Sequence, residues 1–120
     1  MNNQIVWCDI PVKDLDRSVK FYSAVLGAKV EKQSHSGVEF ALLPHSGESV
    51  SGCLVVGSEH TPSADGPLIY LNCEGRLDAA IAEVEAHGGK ILKPRHQIGP
   101  YGFRAVALDS EGNRVALHSK

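Results

Sequence analysis

An internal repeat constrains the fold of this chain more than any other feature of its sequence. Apolar residues at helical spacing, followed by a glycine where a helix would end, occur twice, the second time 62 residues after the first. The matched pairs are Leu15 and Leu77, Val19 and Ile81, Tyr22 and Val84, and Gly27 and Gly89. Two copies of one supersecondary unit are therefore predicted within the chain.

Each copy is predicted to contain a strand, a helix and three further strands. In the first copy, Ile5 to Val12 has strand character, and Asp14 is a suitable N-cap for a helix over 15–26. The remaining strands are predicted at 29–32, 37–43 and 51–56 in the first copy, and at 68–73, 90–96, 103–109 and 114–119 in the second. The second helix begins at Leu77 and ends at the glycines 88–89.

The last two strands are joined by the turn "SEGN", in which Gly112 and Asn113 are expected to take positive φ. The predicted fold class is α+β, with two βαβββ modules at 1–56 and 68–120. The linker between them is assigned to 57–67, a stretch rich in Gly, Pro, Ser and Asp.

Composition excludes several functional classes. The 120 residues suit one domain, and 12 basic against 14 acidic side chains give a net charge of −2 with no basic run, which disfavours nucleic acid. No apolar segment approaches a membrane span, and the N-terminus lacks a signal-peptide pattern. Three cysteines without a CxxC motif fit reduced core residues. A cytoplasmic protein without membrane or nucleic-acid partners is expected.

Two motifs give the chain a recognisable family character. The helix "DL-x-x-S-x-x-FY-x-x-x-LG" and the terminal hairpin "D-x-x-G-N" together resemble the vicinal oxygen chelate superfamily, which includes glyoxalase I, bleomycin-resistance proteins and extradiol dioxygenases. The resemblance implies two βαβββ modules whose sheets curl around a cavity, often in a homodimer. It also implies, for the metal enzymes, one divalent cation held by His, Gln or Glu on the first and last strands of each module.

The positions that this resemblance assigns to metal ligands carry poor donors here. They fall on Trp7, on Leu68 or Pro67, on Ala116, and near Ser51 or Gly52. Indole offers only an N–H donor and alkyl groups offer no lone pair, whereas a divalent cation needs lone-pair donors in a preset geometry. A metal-free protein without a cofactor is therefore expected. A rearranged site using His45, His60 or His96 stays open, although no ligand spacing supports it.

Strand alternation selects the candidate binding residues. If Trp7 faces the cavity, Asp9 does too, and if Ala116 faces it, so does His118. The same alternation places Tyr70 and Asn72 on the strand face that carries Leu68. The loop "IGPYGFR" adds Tyr101 as a contact at the cavity mouth and Arg104 as a partner for an anionic group, unless the loop is only a connection. Predicted ligand-binding residues are Trp7, Asp9, Tyr70, Asn72, Tyr101, Arg104 and His118. The alternative is that Trp7 and Tyr70 belong to the core.

Two functions from different classes remain open. The first is a metal-independent protein that binds a small hydrophobic or aromatic molecule, as bleomycin-resistance-like members do. The second is a metal-dependent lyase or isomerase of the lactoylglutathione lyase type, or an extradiol-type dioxygenase. Both of these chemistries use the ion as a Lewis acid, so the missing donors count against them. As weak catalytic candidates, His118 would act as general base and Asp9 would orient it. The resemblance also predicts a homodimer.

Overall fold

The computed structural model describes residues 3–57 and 61–120. In the first half, the elements are β1 (Trp7–Pro11), α1 (Leu15–Leu26), β2 (Glu31–His35), β3 (Val38–Leu42) and β4 (Ser51–Val55). In the second half, they are β5 (Ile69–Asn72), α2 (Leu77–Ala86), β6 (Lys90–Gln97), β7 (Phe103–Leu108) and β8 (Arg114–Ser119), with a 3₁₀ turn at Gly99–Tyr101 between β6 and β7. Within these ranges, neither helix has the length and apolarity that a membrane span requires.

The strands form two sheets of the same topology. The first has the order β1-β4-β3-β2 and the second the order β5-β8-β7-β6. In each sheet the first strand runs parallel to the last strand of its module, and the other pairs are antiparallel. The predicted repeat and the predicted α+β class with two βαβββ units are therefore confirmed.

Several strand boundaries differ from the prediction. β1 begins at Trp7 rather than Ile5, because pairing with β4 begins at Ser51 and leaves Ile5 70% exposed. β2 occupies 31–35 rather than 29–32, since Val30 is buried and donates its N–H to Ser23 Oγ on α1, at 3.1 Å, instead of joining the sheet. Residues 58–60 of the predicted linker lie outside the described residues.

Both helices pack an apolar face against the sheets. Asp14 caps α1 as predicted, with its carboxylate accepting from Arg17 N–H at 3.0 Å, and Gly27 ends the helix at φ 67°. In the second module the left-handed glycine is Gly88, at φ 92°, rather than the predicted Gly89. A Cβ on Gly89 would lie 2.4 Å from the Leu108 carbonyl oxygen, so this glycine serves close packing of the second helix end against β7.

The hairpin turn between β7 and β8 connects the two modules. Gly112 has the predicted positive φ, but Asn113 does not. The side chain of Asn113 is used instead: its Nδ2 donates to the Pro11 carbonyl at 2.8 Å and to Asp109 Oδ2 at 2.9 Å. Asp109 Oδ2 also accepts from the hydroxyl of buried Tyr22 at 2.6 Å. The end of the second module is thereby attached to β1 and α1 of the first.

Glu111 provides the strongest of these connections. Its side chain is fully buried and accepts from the backbone N–H groups of Lys13 and Asp14, at 2.8 and 2.9 Å, and from Arg17 Nε and Nη2, at 2.7 and 2.8 Å. Burial raises the pKa of this carboxyl, but the hydrogen bonds from Arg17, the two backbone amides and Ser110 outweigh it and lower the pKa from 4.5 to about 2. The ionised form of Glu111 therefore stabilises the fold.

Replacement of Glu111 by Gln should show this contribution in the pH dependence of stability. The folded-state pKa lies below the ordinary value, so the stabilisation is complete above about pH 4.5 and is lost as the pH falls towards 2. One pKa unit corresponds to about 1.4 kcal/mol of free energy, and the contribution is reduced here because Arg17 is half-exposed to solvent. We therefore expect Glu111→Gln to lower the free energy of unfolding by roughly 2 kcal/mol at neutral pH. Urea unfolding from pH 2 to 7 measures this loss of unfolding free energy, and Glu48→Gln, at an exposed residue, is the control. A Glu111→Gln deficit that does not shrink in acid would contradict the account.

Candidate functional site

Each sheet has one face against the helices and one face turned away from them, here called the outer face. Ile10 and Leu54 of the first sheet and Leu71 and Leu117 of the second belong to the core on the helix side. Because side chains alternate along a strand, their neighbours point to the outer faces. On this basis Trp7 and Asp9 lie on the outer face of the first sheet, and Tyr70, Asn72 and His118 lie on that of the second.

On the first outer face, Trp7, Cys53 and Asp9 form a hydrogen-bonded chain. The indole Nε1–H donates to Cys53 Sγ at 3.5 Å, and the Cys53 thiol donates to Asp9 Oδ1 at 3.2 Å. His45 stands edge-on to the indole, with ring centroids 6.1 Å apart. The alternative that Trp7 and Tyr70 are core residues is wrong, because 39% of the first and 47% of the second is exposed.

On the second outer face, a polar row crosses all four strands. Strand register places His96, Arg104, His118 and Asn72 side by side on β6, β7, β8 and β5. Arg104 Nε donates to His96 Nε2 at 3.0 Å, and Arg104 Nη1 donates to the Tyr70 hydroxyl. The rings of Tyr70 and His118 lie 6.0 Å apart. Arg104 is thus held between two neutral acceptors.

The partners of the two histidines define which ring nitrogen carries hydrogen. His96 Nδ1 lies 2.9 Å from the Pro94 carbonyl oxygen, so Nδ1–H donates there and Nε2 is free to accept from Arg104. His118 Nε2 lies 2.7 Å from the Tyr101 carbonyl oxygen, so Nε2–H donates to the loop. His118 therefore supports the loop with one nitrogen and keeps Nδ1 as its acceptor.

A cavity of about 770 Å³ opens between this face and the loop that carries the 3₁₀ turn. Its lining residues are Tyr70, Ile98, Pro100, Tyr101, Gly102, Arg104, His118 and Lys120. The loop approaches β8 closely at Gly102, which has φ 99° and where a Cβ would lie 2.3 Å from the Ser119 carbonyl oxygen. Only glycine permits this approach of the loop to β8.

Four of the seven predicted binding residues lie at this cavity, and three lie elsewhere. Tyr70, Tyr101, Arg104 and His118 line the cavity, whereas the other three do not. Trp7 and Asp9 lie on the first sheet, and Asn72 uses its Oδ1 to accept from Glu74 N–H at 2.9 Å.

The sequence reasoning missed His96, which holds Arg104, and the apolar pair Ile98 and Pro100. The hairpin "RHQIGPYGFR" contained the relevant pattern, because residues that flank a short loop symmetrically pair across it.

The predicted catalytic pair of His118 and Asp9 is not formed within the chain. Asp9 accepts from Cys53, and His118 donates to the Tyr101 carbonyl. General-base catalysis by an oriented imidazole requires that the two groups touch. His118 and Asp9 therefore do not act as such a pair within one chain.

Equivalent hydrogen bonds in the two modules align the positions that the resemblance assigns to metal ligands. Val12 N donates to Val55 O at 2.9 Å, and Cys73 N donates to His118 O at 2.8 Å, which makes these two bonds counterparts. Counting back from them, Trp7 corresponds to Leu68, and Cys53 corresponds to Ala116. The counterpart of Ala116 on the fourth strand is therefore Cys53, one or two residues beyond the expected position at Ser51 or Gly52.

This set of residues does not fit a divalent cation. Of the four positions only Cys53 carries a donor, with Asp9 beside it. Burial raises the pKa of the Cys53 thiol, the indole N–H of Trp7 lowers it, and the bond to Asp9 raises it again, so that the neutral thiol is favoured overall. Within residues 3–57 and 61–120, no three His, Cys, Asp or Glu side chains are placed to hold a metal ion. His60, part of the alternative site considered above, lies outside the described residues.

Comparison with known proteins agrees with this architecture. A profile of the Glyoxalase/Bleomycin resistance protein/Dioxygenase superfamily matches residues 4–117. An uncharacterized protein of Mycolicibacterium smegmatis is 32% identical over 114 residues, which cover 92% of this chain and 88% of that protein.

Solved structures show the same fold at low sequence identity. A glyoxalase/bleomycin resistance protein from Albidiferax ferrireducens has a TM-score of 0.74 at 19% identity, covering 98% of this chain and 99% of that one. The fosfomycin resistance protein FosX from Listeria monocytogenes has a TM-score of 0.69 at 17% identity, covering 100% and 95%. A mutant glyoxalase I from Zea mays has a TM-score of 0.74 at 23% identity, covering 95% of this chain and 45% of that one. By motif, profile and fold, the chain belongs to the glyoxalase/bleomycin resistance protein/dioxygenase superfamily.

Proposed function

We propose that the chain is a metal-independent binding protein that holds a small organic molecule with an aromatic or apolar body in the cavity on the outer face of the second sheet. The observation that carries the proposal is the convergence of Tyr70, Tyr101, Arg104 and His118 on one cavity of about 770 Å³. That volume is within the range of small-molecule sites, which combine apolar walls with a few placed polar groups.

The composition of the walls supports an aromatic or apolar ligand. Tyr70 and Tyr101 are 47% and 73% exposed, although large aromatic side chains are usually more buried. Ile98 and Pro100 add apolar surface from the loop. A bound ring would cover this exposed aromatic area and remove it from water.

The donor set argues against the metal-dependent alternatives. A lyase or isomerase of the glyoxalase type and an extradiol dioxygenase both need a Lewis-acid ion. Trp7, Leu68 and Ala116 offer it no lone pair, and one thiol cannot replace the missing ligands. We therefore do not propose for this chain the activities that the names of its structural relatives state.

Substitutions at the cavity mouth test the binding function. Aromatic fragments are screened by thermal shift on protein dialysed against EDTA, and the best of them is titrated by calorimetry. Tyr101→Ala should weaken that ligand at least about fivefold while stability stays within about 0.5 kcal/mol, because the side chain is mostly exposed. His118→Gln should also weaken it, since the loop loses its support from His118. Val38→Ala, an exposed truncation on the first sheet, is the control. Unchanged affinity in both cavity variants would place the ligand elsewhere.

Metal addition tests the metal-independent part of the proposal. Purified protein should contain Zn, Ni, Fe and Mn at well below one equivalent. Added metal should not raise the melting temperature, whereas a site filled at 100 times its Kd would add about 2.7 kcal/mol to the free energy of unfolding. A double variant, Asp9→Asn with Cys53→Ser, removes the one adjacent donor pair and controls for weak binding there. Stoichiometric metal bound through β1 and β8 would refute the proposal.

We also propose that the chain forms a symmetric homodimer through the region of β1. β1 is an edge strand, and Ile5, Val6 and Val50 beside it are 70%, 73% and 42% exposed. Unpaired strand edges with exposed apolar residues are typical of surfaces that pair with another chain, and two-fold pairing is the commonest closed arrangement.

Light scattering after size exclusion measures the assembly. The expected mass is twice the chain's 12.9 kDa at micromolar concentration. Val6→Lys should shift the protein towards monomer, because it places a charge within the proposed interface. Val38→Lys, at another exposed valine, on β3, should leave the dimer intact. A monomer mass for the parent chain would contradict the dimer.

A further inference from the structure

We infer that the molecule bound in this cavity carries an anionic group, a planar carboxylate, that docks on the guanidinium of Arg104. The inference rests on the binding function proposed above and names the chemical class of its ligand. Three independent features of the second outer face carry it: the sign of its charges, the neutral partners of Arg104, and the apolar surface beside that guanidinium.

The charged side chains on the outer face of the second sheet are all cationic in the described part of the chain. Residues that pair directly across neighbouring strands share a face, so register assigns one set of ionisable side chains to it. The cationic members of that set are Lys90, Lys93, Arg104 and Arg114, and its other members are His96 and His118, which are neutral in the hydrogen-bonding pattern described above. No Asp or Glu stands at an outward position of β5, β6, β7 or β8 in the described chain, although the whole sequence is net acidic. Such a one-sign surface favours an anion over a cation.

Arg104 has no carboxylate partner in the described part of the chain. The ion pairs found there involve Arg17, Lys32, His87 and Arg95. Arg104 instead donates to His96 Nε2 and to the Tyr70 hydroxyl, both neutral acceptors. Near the cavity rim, the Glu74 carboxylate accepts from Lys120 N–H at 2.7 Å. A half-buried guanidinium thus keeps an uncompensated positive charge beside the cavity.

The same contacts hold the guanidinium ready for a ligand. His96 is fixed by the Pro94 carbonyl, so the Nε bond of Arg104 is made to a rigid acceptor. With Nε and Nη1 engaged, Nη2 has no recorded partner among the described residues, and its two N–H groups remain for an incoming oxygen acceptor. A positioned arginine with free donors suits a carboxylate, because charge-assisted bonds to this planar fork are strong and directional.

Apolar surface adjoins the guanidinium on the cavity side. Arg104 Cζ lies 5.9 Å from the centroid of the Tyr70 ring, and Ile98, Pro100 and Tyr101 face the same space. A ligand whose carboxylate meets Arg104 would lay its body against these residues. An aromatic carboxylate is the smallest molecule that has both an anionic group for Arg104 and an apolar body for these residues.

Benzoate and benzamide are matched probes for this inference, because they share the ring and differ in charge. Titrations at constant ionic strength are followed by two-dimensional ¹H–¹⁵N NMR, including the arginine Nε–H signals. Benzoate should bind at least about tenfold more tightly than benzamide, with shifts on β5, β7, β8 and 98–102. Arg104→Gln should abolish that preference, so that benzoate and benzamide bind with equal affinity. Arg95→Gln, an exposed arginine paired with Asp78, is the matched control and should preserve the preference.

The outcomes separate this inference from the proposed function. Equal binding of benzoate and benzamide by the parent protein at the cavity would overturn the carboxylate assignment and leave the binding function standing. Retention of the benzoate preference in Arg104→Gln would overturn the role of Arg104. Absence of cavity shifts with both probes, up to their solubility limits, would overturn the proposed site together with the inference. The comparison within the parent protein does not depend on any variant folding.

Discussion

The buried carboxylate of Glu111 is the contact on which the arrangement of the two modules depends. It stands in the terminal hairpin of the second module and accepts from the first turn of α1 and from Arg17 in the first module. Asn113 and Asp109, from the same hairpin, reach Pro11 and Tyr22. A buried carboxylate is tolerated only where such donors surround it, so the hairpin must dock at this strand–helix junction. Each helix packs on the sheet of its own module, α1 on β3 and β4 and α2 on β6, β7 and β8, and the outer faces are turned away from both helices.

The two outer faces have diverged although the modules share one topology. The first carries a neutral thiol between an indole and a carboxylate, whereas the second carries the polar row around Arg104. At the positions where the superfamily's metal enzymes place ligands, this chain has Trp7, Cys53, Leu68 and Ala116. Of these four residues only Cys53 carries a metal donor, and the cavity that we propose as the binding site lies on the second face. This is why fold membership leaves function to be argued from the site.

The fold was largely predictable, because it depends on local patterns that the sequence states twice. Helical spacing, the Asp14 cap and the glycine at the helix end identify the module without knowledge of the tertiary structure. The site was predictable in part. Strand alternation selected Tyr70 and His118, and the loop "IGPYGFR" selected Tyr101 and Arg104. Neither pattern could show that Trp7 and Asp9 belong to a separate sheet face. The role of Glu111 depends on a contact with Arg17, 94 residues away in the sequence. The role of His96 depends on its pairing with Arg104 across a hairpin that contains a β-bulge. No periodicity in the sequence reports such contacts.

A crystal structure of the metal-depleted protein in complex with an aromatic carboxylate tests the central claim most directly. The account predicts density for the ligand on the outer face of the second sheet, with its carboxylate on Arg104, its ring against Tyr70 and Tyr101, and no metal peak beside it. A ligand bound through an ion at Asp9 and Cys53, or seated away from the second sheet, would contradict the account.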